Sequence, residues 1–194
     1  MSLFSKTFKV RSSRFARDTE GSMSVEAVII MPLLFWFFVA SYVWFDSFQA
    51  QNTNLKAAYT VADMISRETA PVNDTYMNGL NTILDFLTHS NQPTSVRVTS
   101  VRCAENCDSD QSRVMEMCWS WASAEKSPHT DGTLTSVYDQ VPLMAEGDTV
   151  LLTETFMTYE PAFEAGLSTF EFDNFIVTRP RFAAEVVYGT EQCY

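Results

Sequence analysis

Nineteen consecutive residues without a charge, 27–45 (AVIIMPLLFWFFVASYVWF), constrain this chain more than any other feature. As an α-helix they would rise roughly 28 Å, close to the hydrocarbon thickness of a bilayer. A core helix in a chain of 194 residues normally keeps one polar face. This run has none. A cleavable secretory signal has a shorter apolar region ending at a small-residue site. Here the run passes into Asp46-Ser47-Phe48-Gln49-Ala50. The stretch therefore predicts a transmembrane helix over 27–45. Trp36, Tyr42 and Trp44 add aromatic rings, the last two near an end where such rings favour the lipid–water interface.

Charge is distributed unequally about this span. Residues 1–20 carry five basic side chains (Lys6, Lys9, Arg11, Arg14, Arg17) against Asp18 and Glu20. Residues 46–194 carry 8 basic and 21 acidic residues. Basic residues stay on the cytoplasmic side of a membrane, so the pattern predicts a cytoplasmic leader and an acidic domain across the bilayer. The net charge of −11 argues against nucleic acid as a partner. The predicted organisation is a basic leader at 1–21, a long helix over 22–70 with its membrane part at 27–45, and an extracytoplasmic domain over 71–194.

The junction of leader and span carries a motif. In Gly21-Ser22-Met23-Ser24-Val25-Glu26 a short basic leader ends in glycine, and a carboxylate stands five residues later at the mouth of an apolar helix. An ionisable group within a membrane helix costs about 2.5–3.5 kcal/mol at the bilayer centre and less near its rim, so Glu26 calls for a compensating partner. Pro32 removes one backbone donor from the helix and tends to kink it.

The run Val25-Glu26-Ala27-Val28-Ile29-Ile30-Met31-Pro32-Leu33-Leu34 resembles the TadE/TadG-like minor pseudopilins of the Flp (Tad) type IV pilus system, with their V-E-x-A-x-x-x-P-L-L pattern. Ala27 stands where family members often carry Phe or Tyr. The specific motif covers residues 21–34. Beyond them the likeness is architectural, one span followed by an α+β body. The resemblance implies cleavage between Gly21 and Ser22 by a prepilin peptidase. It implies that Glu26 pairs with the new α-amino group of a neighbouring subunit. Pro32 itself reads either as a bend used in packing or in extraction from the bilayer, or as an ordinary membrane-helix proline. The resemblance also implies a bacterial inner-membrane location, with membrane lipid, the peptidase and other pilins or Tad assembly proteins as partners.

Beyond the span the apolar residues Phe48, Leu55, Tyr59, Ala62 and Ile65 recur at helical spacings. They predict that the helix continues over 46–69, with this face on the body's own sheet, until Pro71 stops it. A second helix is predicted over 75–89. Strands are predicted over 96–101, 114–122 and 148–159, with one or two more over 175–188 around Pro180. In the second of these, Met115, Met117, Trp119 and Trp121 alternate onto one face. Residues 73–74 and 128–132 read as loop. The fold class is α+β, a long N-terminal helix followed by a small antiparallel sheet with helices against one face. Phe163, Phe170, Phe172, Phe175 and Phe182 read as core, the alternative being an exposed patch for partner subunits.

Cys103, Cys107, Cys118 and Cys193 all follow the span, on the side predicted to be oxidising, which suggests disulfides. Of the three possible pairings none is fixed by sequence, though one local bridge among the first three is expected, leaving Cys193 to tie down the C-terminus. A four-thiolate zinc site usually needs two short pairs, and only Cys103-x₃-Cys107 fits. His89 and His129 lack neighbours at ligand spacing and read as surface or loop residues. Asp108-Ser109-Asp110 lacks the downstream residues of a calcium loop. No nucleophile–base, zinc-protease or phosphate-loop motif is present, so no catalytic residue and no cofactor is assigned. Against the pseudopilin reading stands an unprocessed single-pass protein with an extracytoplasmic binding domain. An anchored enzyme is the weaker third.

Overall fold

A computed structural model describes residues 22–88, 92–123 and 125–193. Their order is helix α1 (Ser22–Ser66), α2 (Asp74–Thr88), β1 (Thr94–Glu105), β2 (Val114–Ala122), a one-turn helix α3 (Asp131–Leu134) running into a 3₁₀ turn (Thr135–Gln140), β3 (Thr149–Tyr159) and β4 (Phe170–Thr178). The fold is α+β. The chain divides into two compact units. Of the described residues, one unit holds those up to Phe45 together with Phe163–Leu167, and the other holds those from Asp46 to Ala162 and from Ser168 onward.

α1 is one helix of 45 residues that runs through Pro32. It stops at Ser66, short of the predicted residue 70. The Ser66 carbonyl accepts from the Arg181 N–H at 2.8 Å, and the Arg67 and Glu68 N–H groups turn back to Met64 and Ile65 at 3.2 Å. These contacts occupy carbonyls that a further turn would need. α2 begins one residue earlier than predicted because the Asn73 side-chain oxygen accepts from the Tyr76 N–H at 3.0 Å, an N-cap placed in what reads as a loop.

The sheet is wholly antiparallel in the order β2-β1-β3-β4. One face packs on the helices. Ala57, Val61 and Ile65 of α1 and Met77, Leu80 and Leu84 of α2 bury Val96, Val98, Trp119, Trp121 and Leu151. Ala58 and Ala62 pack on Ile176, and Ala50 on the Met157, Tyr159 and Phe172 cluster. The buried stripe of α1 is therefore alanine-rich. Ala62 and Ile65 belong to it as predicted. Phe48, Leu55 and Tyr59 do not, and remain exposed on the outer side of the helix.

The opposite face is not bare, as helices on one side alone would leave it. Leu134, Val137 and Val141 cover Val101, Met115, Val150 and Leu152. β2 departs from strict alternation. Ser100 pairs with Trp119 but Val101 with Met117, a bulge that leaves Cys118 unopposed. One extra residue inverts the face, so Trp119 and Trp121 join the helix-side core while Met115 and Met117 face the other way. β4 begins at Phe170 and ends at Thr178, and among the described residues no strand follows Pro180. The chain instead crosses the core edge as an irregular segment. It is held by the Val72 N–H to the Val187 carbonyl, the Gly189 N–H to the Val72 carbonyl (2.8 Å each) and the Trp119 indole to the Val186 carbonyl (2.7 Å).

Candidate functional site

Gly21 lies outside the described residues, and Ser22 opens α1. Glu26 follows one turn later and Pro32 six residues beyond it, about 9 Å along the axis. Both are exposed, and no ion pair to Glu26 is formed among the described residues. The carboxylate sits on a surface of apolar side chains that includes Met23, Val25, Val28, Ile29 and Ile30. Proline at 32 leaves the Val28 carbonyl without its usual i+4 amide donor. The helix is long and apolar enough to cross a bilayer, and only 6 % of its most apolar eighteen-residue window is buried. A core helix of the same composition would be covered by its own chain. Here the apolar surface, the acid and the missing amide lie together on the exposed first part of α1.

The four cysteines pair as Cys103–Cys107 and Cys118–Cys193, with Cα–Cα distances of 5.9 and 4.7 Å. No four-thiolate set remains. The first bridge closes four residues at the β1–β2 turn, and the second spans 75 residues and fastens the C-terminal segment to the bulged edge strand. On chain-entropy grounds these loops correspond to about 2 and about 4 kcal/mol of stabilisation. Both bridges lie C-terminal to the apolar helix.

His129, expected at the surface or in a loop, lies in the loop that follows β2, but it is buried there. Its Nε2 lies 2.9 Å from the Glu154 carboxylate and its Nδ1 3.1 Å from the Thr133 hydroxyl. Glu154, 7 % exposed, also receives the Arg97 guanidinium through two 2.6 Å hydrogen bonds. Arg97 and Glu154 are cross-strand partners of β1 and β3. A charge in the middle of an apolar strand needs a mate, and that was the readable signal. Among the described residues no nucleophile other than Thr133, itself bonded to the Thr130 backbone, lies in hydrogen-bond reach of the imidazole. It is built as a bracket that fixes the segment after β2 to the sheet. His89 lies outside the described residues.

At the bulge, a cleft of about 480 Å³ opens beside Arg102, Glu116, Met117, Tyr138 and the Cys118–Cys193 bridge. Arg102 pairs with Glu116 at 3.0 Å, and burial pushes the Tyr138 phenol up, with Asp131 adding to the rise. No group of three or more His, Cys, Asp or Glu side chains able to hold a metal occurs among the described residues. Phe170, Phe172 and Phe175 join the core, whereas Phe163 and Phe182 are exposed. The chain matches no protein-family model, no curated protein and no solved structure.

Proposed function

We propose that this protein is a membrane-anchored, TadE-like pseudopilin that takes part in pilus assembly and is not itself an enzyme. The observation that carries the reading is the apolar first part of α1, of whose most apolar eighteen-residue window little is buried, with an acid one turn inside its start. In this reading residues 27–45 span the inner membrane, the basic leader stays in the cytoplasm and the disulfide-bonded domain lies outside. A peptidase cleaves between Gly21 and Ser22. Glu26, costly to hold alone among lipid tails, then pairs with the freed amine of a neighbouring subunit. Outside the membrane the exposed stripe Phe48, Leu55 and Tyr59 continues along α1 and offers a packing face to helices of partner pilins.

Mass spectrometry of the protein extracted from membranes tests the processing step. A mature N-terminus at Ser22 is expected. A chain that keeps Met1 or Ser2, and is indifferent to substitution of Gly21, favours an unprocessed single-pass anchor with a binding domain. Glu26→Ala is expected to impair assembly while the domain stays folded. Normal piliation in that variant removes the pairing role.

A further inference from the structure

The β3–β4 connection carries a feature that the span does not require. Residues 163–167 (Phe-Glu-Ala-Gly-Leu) cluster with the unit that contains the helix up to Phe45, and not with the sheet that the loop connects. Within that unit Ala165 is buried, and so is Val43 on the helix. Gly166, at φ +97°, supplies the reversal that holds the loop in this shape. Phe163 is left 56 % exposed, in the same unit as Tyr42 (56 %), Trp44 (47 %) and Phe45 (75 %) at the outer end of the apolar run. Phe163 lies four positions after Tyr159, a reach of at most about 14 Å. Tyr159 is itself bonded to Asp46, the first charged residue after the run. The tether is too short for the bilayer centre and long enough for its interface.

We infer that the 163–167 loop is a second, shallow membrane contact, with Phe163 set into the interfacial layer of the lipid beside Tyr42, Trp44 and Phe45. Aromatic rings partition to this layer because it accepts an apolar ring while polar neighbours stay hydrated. Glu164, next in sequence, can keep its carboxylate among the headgroups. This contact would restrain the tilt and rotation of the helix, which a single span leaves free. The inference rests on the proposed membrane insertion of α1.

Site-directed spin labelling of the full chain separates the two. Phe163→Cys, Phe37→Cys and Asp139→Cys are each labelled in turn, the native cysteines being paired, and reconstituted into vesicles of phosphatidylethanolamine and phosphatidylglycerol. Collisions with dissolved oxygen, which concentrates in lipid, are compared with those of a water-soluble nickel complex. The expected result is an oxygen preference at 37, a nickel preference at 139 and, at 163, a reversal of order relative to 139. A label at 163 that behaves as at 139, or that is closed to both probes because protein covers it, overturns the inference while leaving the span intact. Loss of the oxygen preference at 37 overturns the span, and the loop contact with it.

Discussion

The Tyr159 hydroxyl donates a 2.7 Å hydrogen bond to the Asp46 carboxylate, joining the end of β3 to the residue at which α1 leaves its apolar run. The two residues are 113 apart in sequence. Tyr159 is also flanked by Phe170 and Phe172 at 5.5 and 5.7 Å, so the ring is held by packing while the hydroxyl fixes the helix. Tyr159→Phe keeps the packing and removes the bond. We expect a loss of about 1 kcal/mol and a fall in Tm of roughly 2–4 °C for a chain of this size, read by thermal unfolding in detergent. An unchanged Tm would mean that ring packing alone holds this end of the sheet.

Glu154 anchors two cations or potential cations in a nearly dry site. Removing it leaves the Arg97 guanidinium, whose side chain is 19 % exposed, without its bidentate mate. A buried charge stripped of its partner typically costs about 3–5 kcal/mol, so Glu154→Ala is expected to destabilise the domain by about 3 kcal/mol or more in chemical denaturation. The double variant Arg97→Met with Glu154→Leu should recover most of that loss, because desolvation of both charges is removed together. If the double variant is as unstable as the single one, the bracket formed with His129 matters more than the ion pair.

Asp74 accepts from the Tyr188 hydroxyl at 2.7 Å and from the Trp121 indole at 2.9 Å. The tyrosine, then the indole, hold the Asp74 carboxyl below its usual value, and the same carboxylate pushes the Tyr188 phenol up to about 12. The two signs differ. The Tyr188 contribution is fully present below its ordinary pKa near 10 and is lost as pH rises through about 12. The Asp74 contribution is present above the ordinary carboxyl value near 4 and is lost as pH falls through its lowered one. Unfolding free energy measured against pH should therefore decline on both flanks. Tyr188→Phe should shrink the alkaline decline without removing it, since the Tyr138 phenol is raised as well. An identical alkaline limb in wild type and variant would show that the Asp74–Tyr188 bond does not form in solution.

Much of the framework was legible because periodicity and hydropathy report local constraints. The apolar run, α2 and the strand at 114–122 fell where their patterns put them. The missed features are non-local. The β2 bulge exchanges faces between Met117 and Trp119 without altering the sequence alternation. His129 looks solitary because its partner Glu154, itself paired with Arg97 across the sheet, lies on a strand distant in sequence. The α1 stripe was misassigned because alanines, not the larger Phe48, Leu55 and Tyr59, let the helix approach the sheet. Glu26 was legible as an acid at the mouth of an apolar helix, and it forms no ion pair among the described residues.

Asn54 makes the last test, because it breaks the apolar rule of the stripe that holds α1 to the sheet. It sits between Ala50, packed on Phe172 and Met157, and Ala58, packed on Ile176. The cross-strand pair between those two levels is Thr155 with Asn174, whose side chains bond each other at 3.2 Å. Asn54 is fully buried, and neither atom of its carboxamide has a hydrogen-bond partner among the described residues. An unmade bond of this kind costs about 1–3 kcal/mol. Leucine has the same γ-branched outline and no polar atom, so Asn54→Leu is expected to raise stability by about 1 kcal/mol, measured by denaturation of the full chain in detergent. A loss of stability instead would show that solvent enters between helix and sheet and that the amide is held there by water, a wet seam along which α1 could part from its domain.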